Sequence, residues 1–208
     1  MNESNIKMEK NQTLEYYNKN SEKFAEDTRS VEFTEMQEIF LALLPSDGYI
    51  LDYGCGSGRD TKYFLSRGFR VDAIDGSVEL CRIASEYSGI EVKQMMFQEL
   101  NIENQYDGIW ACSSILHLPK SELKTVIEKM RTSLKKKGYI YTSFKYGNYE
   151  GERNGRHFTD FTEAGFREFV RDISEVKIVK EWITGDARPG RSEEKWLNLI
   201  LQKILKLI

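Results

Sequence analysis

The stretch Tyr49–Ser77, YILDYGCGSGRDTKYFLSRGFRVDAIDGS, decides how this 208-residue chain is read. Tyr49-Ile50-Leu51-Asp52-Tyr53 is a short, mostly apolar run of the kind that makes a buried strand. Gly54, Gly56 and Gly58 follow, separated only by Cys55 and Ser57. Glycine permits positive φ and lets a ligand approach the backbone with no Cβ in the way. Arg59 to Arg67 then reads as a helix, with Tyr63 and Phe64 on its apolar face and Gly68 as its stop. Val71-Asp72-Ala73-Ile74-Asp75 is a second strand that ends on an acid. Strand, glycine turn, helix, strand and acid together make a grip for an adenosine-containing cofactor. The loop passes beneath the ligand and the acid accepts from ribose hydroxyls.

The spacing narrows the choice of cofactor. A dinucleotide fingerprint is G-x-G-x-x-G, whereas this chain has G-x-G-x-G followed by Arg59 and Asp60, with Asp52 two residues before the first glycine. On these residues the chain resembles the class I S-adenosylmethionine-dependent methyltransferases. Their first motif is a strand ending in an acid and then G-x-G-x-G, and their second acid closes the next strand. Asp52, Gly54, Gly56, Gly58 and Asp75 match those positions one by one. The resemblance runs from about Tyr16 to Leu201 and is closest in character to small bacterial single-domain enzymes, including the tellurite-resistance-like methyltransferases. F-K-Y-G, R-x-F-T and R-P-G-R followed by W-L-N are similar to elements of that group.

The resemblance implies an α/β, Rossmann-like sheet of seven strands in the order 3-2-1-4-5-7-6. The last strand is antiparallel, helices lie on both faces and N-terminal helices cap the site. It implies S-adenosyl-L-methionine as cofactor and S-adenosyl-L-homocysteine as product. Residue by residue, Cys55, Arg59, Asp60, Gly76 and Ser77 join the five matching positions as cofactor-binding candidates. Phe97, Gln98 and Glu99 stand where the family places its adenine loop, and Cys112 and Ser113 end the strand beside the transferable methyl.

Composition bounds the rest. At this length a single domain, residues 1–208, is expected to bury a sizeable core. A formal net charge of −3, from 30 basic and 33 acidic residues, leaves no global electrostatic footprint for nucleic acid. Cys55, Cys81 and Cys112 have no C-x-x-C spacing, which argues against a zinc site or a disulfide framework, and no metal is expected. No signal peptide or membrane-spanning apolar run is evident, so a reducing cytoplasm is the expected location.

In chain order, residues 1–12 read as a flexible terminus and 13–45 as cap helices. Thr13 caps a helix to about Asp27. A second begins near Thr34, where Thr34 and Gln37 have capping-box spacing and Met36, Ile39, Phe40, Leu43 and Leu44 share a face. Tyr16, Tyr17 and Thr28 are candidate lid residues. Ser77 is the expected cap of a helix to about Tyr87, followed by a strand Ile90–Met95. Tyr106–Cys112 is a fourth strand, Lys120–Lys136 a helix, and Tyr139–Phe144 a fifth strand. Lys135-Lys136-Lys137-Gly138 reads as a helix end, where cations favour the dipole and glycine stops the helix. Lys145–Phe161 is polar and irregular; Thr162 then caps a helix, and strands Val176–Ile183 and Trp196–Leu201 close the sheet.

Methyl transfer from a sulfonium asks for alignment and exclusion of water more than for a catalytic triad. His117, at the carboxyl edge of the fourth strand, is the leading candidate base, with His157 in the polar loop a weaker one of the same kind; the alternative is that His117 holds a loop. Lys145, Arg153, Arg156, Arg188 and Arg191, with Tyr16, Tyr17 and Tyr146, are candidate substrate-binding residues. If the basic groups converge they read an anion. The expected activity is in-line methyl transfer to a small molecule or oxyanion. Alternatives are a tRNA wobble-uridine methyltransferase and a non-catalytic S-adenosylmethionine-binding protein. Nucleic acid and membrane partners are disfavoured, and the sequence leaves acceptor and oligomeric state open.

Overall fold

A computed structural model describes residues 12–188, 190, 191 and 193–205. The flexible terminus expected for 1–12 therefore lies outside the described residues, except for Gln12, which is helical. Strand β1 (Tyr49–Tyr53) occupies the middle of the sheet, flanked by β2 (Arg70–Asp75) and β4 (Tyr106–Ala111). With β3 (Val92–Gln94), β5 (Leu134–Lys145), β8 (Val176–Gly185) and β9 (Lys195–Lys203), the order is β3-β2-β1-β4-β5-β9-β8. The first five run parallel, and β9 is antiparallel to both of its neighbours. This is the expected 3-2-1-4-5-7-6 sheet, with the numbering displaced by a two-stranded hairpin, β6 (Glu150–Arg153) and β7 (Arg156–Thr159).

That hairpin corrects the reading of Lys145–Phe161 as irregular. Its turn residues Asn154 and Gly155 both have left-handed backbones, φ 52° and 76°, which a two-residue hairpin turn requires and an Asn-Gly pair supplies. Apolar alternation is weak here because β6 is half-exposed and β7 mixes the core residue Phe158 with polar His157 and Thr159.

The sheet separates two apolar layers. One side packs Ile109, Phe144 and Leu199 against α6 (Lys120–Ser133) and α7 (Glu163–Val170) through Leu123, Ile127 and Phe166. The other packs Trp110 and Tyr141, stacked with ring centroids 4.0 Å apart, under α3 (Thr34–Leu41) and α4 (Arg59–Ser66) through Phe40 and Phe64. Side chains alternate across a strand, so Ile109 and Trp110 supply one layer each. Helix α5 (Val78–Ser88) covers β2 and β3. Its cap is the expected one, with Ser77 Oγ accepting from Leu80 N at 3.2 Å. Thr162 caps α7 in the same way, from Gly165 N at 3.2 Å.

Three local expectations change. The first N-terminal helix is two: α1 spans 12–19 and α2 spans Ser21–Arg29. At the break, the Asn20 side chain donates to Tyr16 O at 2.7 Å, a local bond that competes with continuous helix. Thr34 and Gln37 form no capping box. Phe33 is the N-cap, Thr34 N donates to Glu32 Oε1 at 2.9 Å, and Gln37 turns inward to Asp60. Helix α6 stops at Ser133, so Lys135–Gly138 lies within β5, where Lys137 has φ 64° and Lys135 pairs with Asp107 at 2.7 Å.

Asp60 ties these pieces together. Its buried carboxylate accepts from Arg59 Nε at 2.8 Å and Nη2 at 2.9 Å, from Gln37 Nε2 at 2.7 Å and from Trp110 Nε1 at 2.8 Å. Three elements, α3, α4 and β4, thus meet at one charge. Burial alone would raise this carboxyl, but Arg59 and the bonds from Trp110 and Gln37 hold it low. Removing one partner of a buried ion pair strands the other, so Asp60→Ala should cost about 3–5 kcal/mol in urea denaturation. A loss under about 1 kcal/mol would show that Arg59 finds water instead.

Candidate functional site

The carboxyl ends of the parallel strands open into a cavity of about 330 Å3, where open α/β sheets hold their ligands. Its floor is the loop after β1. Gly54 is left-handed, φ 84°, and a Cβ there would fall 2.5 Å from the Cβ of Ser114. Gly56, φ 55°, donates its N–H to Asp75 Oδ2 at 2.9 Å, while Ser77 N donates to Asp75 Oδ1 at 2.9 Å. Asp75 therefore clamps the loop to the end of β2. Burial raises its carboxyl, and the backbone donors at Ser77, Gly56 and Gly76 partly counter this. A carboxylate has about four lone-pair sites, so with these three donors in place about one remains for a ribose hydroxyl. A side-chain-free floor beside an acid with a spare lone pair fits an adenosine cofactor.

Of the expected cofactor residues, Gly54, Cys55, Gly56, Arg59, Asp60, Asp75, Gly76, Phe97, Cys112 and Ser113 line this cavity. Five lie behind it and act as supports. Asp52 is buried and accepts from Thr61 Oγ1 at 2.5 Å; burial and then the charge of Asp60 raise its carboxyl. Gly58 is the N-cap of α4, and Ser77 is buried at the head of α5 with its Oγ on Asn18 Oδ1 at 2.6 Å. Gln98 turns away to Glu122, and Glu99 accepts from Met96 N at 2.8 Å. Phe97 is the residue of that loop that reaches the cavity, and its ring packs 4.8 Å from that of Tyr53.

Helices α1 and α2 form the roof, with Leu14, Tyr17, Phe24 and Thr28 facing in. Tyr16 does not line the cavity; the guanidinium of Arg156 covers its ring at 4.2 Å. Tyr146 is 38% exposed and also lies off it. The five basic candidates, Lys145, Arg153, Arg156, Arg188 and Arg191, do converge on the same cavity. Four have acidic partners. Lys145 pairs with Glu194, Arg153 with Asp160 and Arg188 with Asp186; Arg191 stands 3.9 Å from Glu194. Burial raises the Asp186 carboxyl, but Arg188 and Trp196 bring it down to about 2. Arg156 has no acidic partner among the described residues, and its buried Nε has no hydrogen bond.

Sequence reasoning missed Phe33, Met95, Met96, Ser143, Phe158, Trp196 and Asn198, which also line the wall. The legible signal was on the last strand, where Trp196 and Asn198 are two apart and share a face. Among the described residues no cluster of three or more His, Cys, Asp or Glu side chains is arranged to hold a metal. Nor is any helix there long and apolar enough to cross a membrane.

His117 sits in a short 3-10 turn, Ile115–His117, with Nδ1 2.7 Å from the carbonyl oxygen of His157 and Nε2 2.7 Å from Tyr17 Oη. Burial pushes its imidazole down to about 3. The ring is therefore neutral at physiological pH and poorly suited to keep a proton. In the unfolded chain it protonates below about pH 6.5. Between roughly pH 3 and 6.5 the unfolded state binds more protons, so His117 makes stability rise with pH across that window. Urea titrations of the wild type and His117→Gln at pH 5 and 7.5 should show a smaller pH dependence in the variant. An identical dependence would contradict a buried neutral imidazole.

Comparison with known proteins places these features. Residues 50–138, from β1 through the end of α6 and into β5, match the family described as a methyltransferase domain. An uncharacterized methyltransferase of Staphylococcus carnosus is 26% identical over 141 residues, covering 64% of this chain and 68% of that one. The putative methyltransferase YqeM of Bacillus subtilis is 29% identical over 116 residues, covering 50% of this chain and 47% of its own length. The match thus spans about two-thirds of the first relative and about half of the second. In fold, the chain is similar to Burkholderia thailandensis 1,6-didemethyltoxoflavin-N1-methyltransferase, solved with 1,6-didemethyltoxoflavin and S-adenosylhomocysteine bound. The TM-score is 0.78 at 21% identity, over 96% of this chain and 91% of that one. The domain match, which begins at β1 and takes in the glycine loop and Asp75, the methyltransferase relatives and the shared fold together support the class I S-adenosylmethionine-dependent methyltransferase family.

Proposed function

We propose that this methyltransferase, working as a single domain in the cytoplasm, methylates a small anionic molecule by in-line displacement. One observation carries the reading: the glycine loop with Asp75 and the five basic side chains line one cavity. S-adenosylmethionine, when bound, supplies a sulfonium methyl whose departure leaves a neutral thioether. The chain's own residues then have to align and to exclude water. Gly54, Gly56, Asp75 and Gly76 hold the nucleoside, with Phe97 against the base; Cys112 and Ser113 stand at the methyl end. Leu14, Tyr17 and Phe24 roof the site. The Burkholderia neighbour, whose bound acceptor is small, supports an acceptor of similar scale.

The anionic preference rests on Arg156. A cation without an acid partner beside a cavity is costly unless a ligand brings the counter-charge. The other four cations are balanced by acids on neighbouring strands and loops, which disfavours a continuous phosphate track and hence tRNA. His117, neutral and engaged at both nitrogens, serves as a positioning residue rather than a base.

The test is acceptor-dependent formation of S-adenosylhomocysteine with a panel of carboxylate, phosphate and oxyanion small molecules. Arg156→Ala should raise KM for the active acceptors about 10- to 100-fold, the size of a lost charge-assisted bond, and change kcat less. Cofactor binding with no turnover on any acceptor would favour the non-catalytic reading. A preference for tRNA that weakens steeply with salt would favour the nucleic-acid reading.

Asp75 gives a second test. Asp75→Ala removes the ribose acceptor and also leaves Gly56 N and Ser77 N without their acceptor, so it should weaken S-adenosylhomocysteine binding at least tenfold. It should also cost about 1–3 kcal/mol of stability. Unchanged affinity in a folded variant would remove Asp75 from the cofactor site.

A further inference from the structure

The bonding around His117 fixes more than its own position. The oxygen of His157 is a carbonyl and can only accept, so the hydrogen of the imidazole must be on Nδ1. A neutral ring then has a lone pair on Nε2, and the contact at 2.7 Å is filled by the hydroxyl hydrogen of Tyr17. The Tyr17 hydrogen is thereby turned into the wall. The phenolic oxygen, on a residue that lines the cavity, is left with lone pairs only. It can accept a hydrogen bond from a ligand and cannot donate one.

Several contacts hold that arrangement. The Tyr17 ring meets Phe24 and Tyr16 edge-on at 5.2 and 5.5 Å and His117 at 5.4 Å. His117 also packs on Phe158 at 4.9 Å. The backbone of His157, whose carbonyl sets the tautomer, is itself fixed by its N–H donating to Thr13 Oγ1 at 3.0 Å. One chain of bonds thus joins α1 to β7 through the turn at His117. Arg156, the neighbour of His157 on β7, lies 5.8 Å from the Tyr17 ring centroid, carries donors only and already interacts with the Tyr17 oxygen, its charge and hydrogen bond countering the rise that burial gives the phenol. The cavity wall here presents an acceptor-only oxygen beside a donor-only cation.

We propose that Tyr17 is the specificity-determining residue for the acceptor's reacting group, selecting an N–H or O–H nucleophile whose hydrogen it accepts. In this arrangement Arg156 takes the negative end of the same molecule and His117 is the positioning residue that fixes the phenol. This rests on the methyltransferase reading and sharpens its substrate class to an anion bearing a protonated nitrogen or oxygen. An O–H acceptor loses its one hydrogen when methylated, the proton passing to solvent, whereas a primary amine keeps an N–H after the first transfer; the contact therefore favours release once the last such hydrogen has been replaced. A carbonyl or a second carboxylate oriented at Tyr17 meets lone pair against lone pair and is rejected, because a buried acceptor without a donor is costly.

The test uses the full chain loaded with S-adenosylhomocysteine and calorimetry with matched benzoates, in which a ring hydroxyl or amino group is replaced by methoxy or dimethylamino. The wild type should bind the hydroxy- or aminobenzoates about tenfold more tightly than their methylated twins. Tyr17→Phe should abolish that discrimination in a variant that S-adenosylhomocysteine still saturates. His117→Gln can donate to the His157 carbonyl and accept from Tyr17, and should retain discrimination; His117→Leu should lose it. Equal binding of the twins by the wild type, no binding of any hydroxy- or aminobenzoate, or discrimination that survives Tyr17→Phe would overturn the proposal. Failure of the wild type to bind S-adenosylhomocysteine at all would instead overturn the methyltransferase reading beneath it. Nitrogen-15 spectra of histidine-labelled protein supply a second readout. His117 should stay in the Nδ1–H form from pH 5 to 8, and an Nε2–H signal would overturn the tautomer on which Tyr17's role depends.

Discussion

The site depends on one carboxylate and the two backbone amides that face it. Asp75 ends β2 and accepts from Gly56 in the loop after β1 and from Ser77 at the head of α5. Parallel neighbours in a sheet share no turn, so the end of β2 and the loop after β1 must be joined by something other than chain connectivity. Asp75 makes that joint. Gly54 N and Cys55 N reinforce it by both donating to Ile74 O, at 3.0 and 2.9 Å. The loop is thereby held flat against the strand ends, with no Cβ at Gly54 or Gly56 to occupy the ligand's space.

A second layer of charge supports that joint from behind. Asp60 and Arg59 form an ion pair with side chains only 10% and 19% exposed, saturated by Gln37 and Trp110. Asp52 lies close enough for the charge of Asp60 to raise its carboxyl, and Thr61 caps it with a short bond. Two acids of the matching motif thus divide the work. Asp75 faces the cavity, while Asp52 anchors the start of α4. Across the cavity the balance differs: four cations are held by acids, while Arg156, with no acidic partner among the described residues, lies over the ring of Tyr16.

The sequence made the sheet legible because its central strands β1 and β4 are largely buried and its elements are separated by clear glycine and capping signals. Tyr49–Tyr53, Val71–Asp75 and Tyr106–Cys112 are mostly apolar runs, and Ser77 and Thr162 are caps whose bonds form as read. The expectations that failed lie where a tertiary partner outcompetes a local rule. Gln37 bonds the buried Asp60 instead of closing a capping box, and Lys135 pairs with Asp107 within a strand instead of ending a helix. The hairpin at Arg153–Arg156 was written in its Asn-Gly turn, but its charged flanks masked the strands. In the site, the glycine loop singled out by its spacing lines the cavity floor. Gln98 and Glu99 were placed by loop position alone, and such position does not say which way a side chain turns. His117 was found, but its meaning required seeing Tyr17 a hundred residues away in sequence.

The most direct test of this account is calorimetric titration of the purified chain with S-adenosylmethionine, S-adenosylhomocysteine and NADH. The geometry at Gly54–Gly58 and Asp75 predicts saturable binding of the first two and none of the third. NADH binding without either sulfur nucleoside would contradict the account of the glycine loop and the assignments built on it.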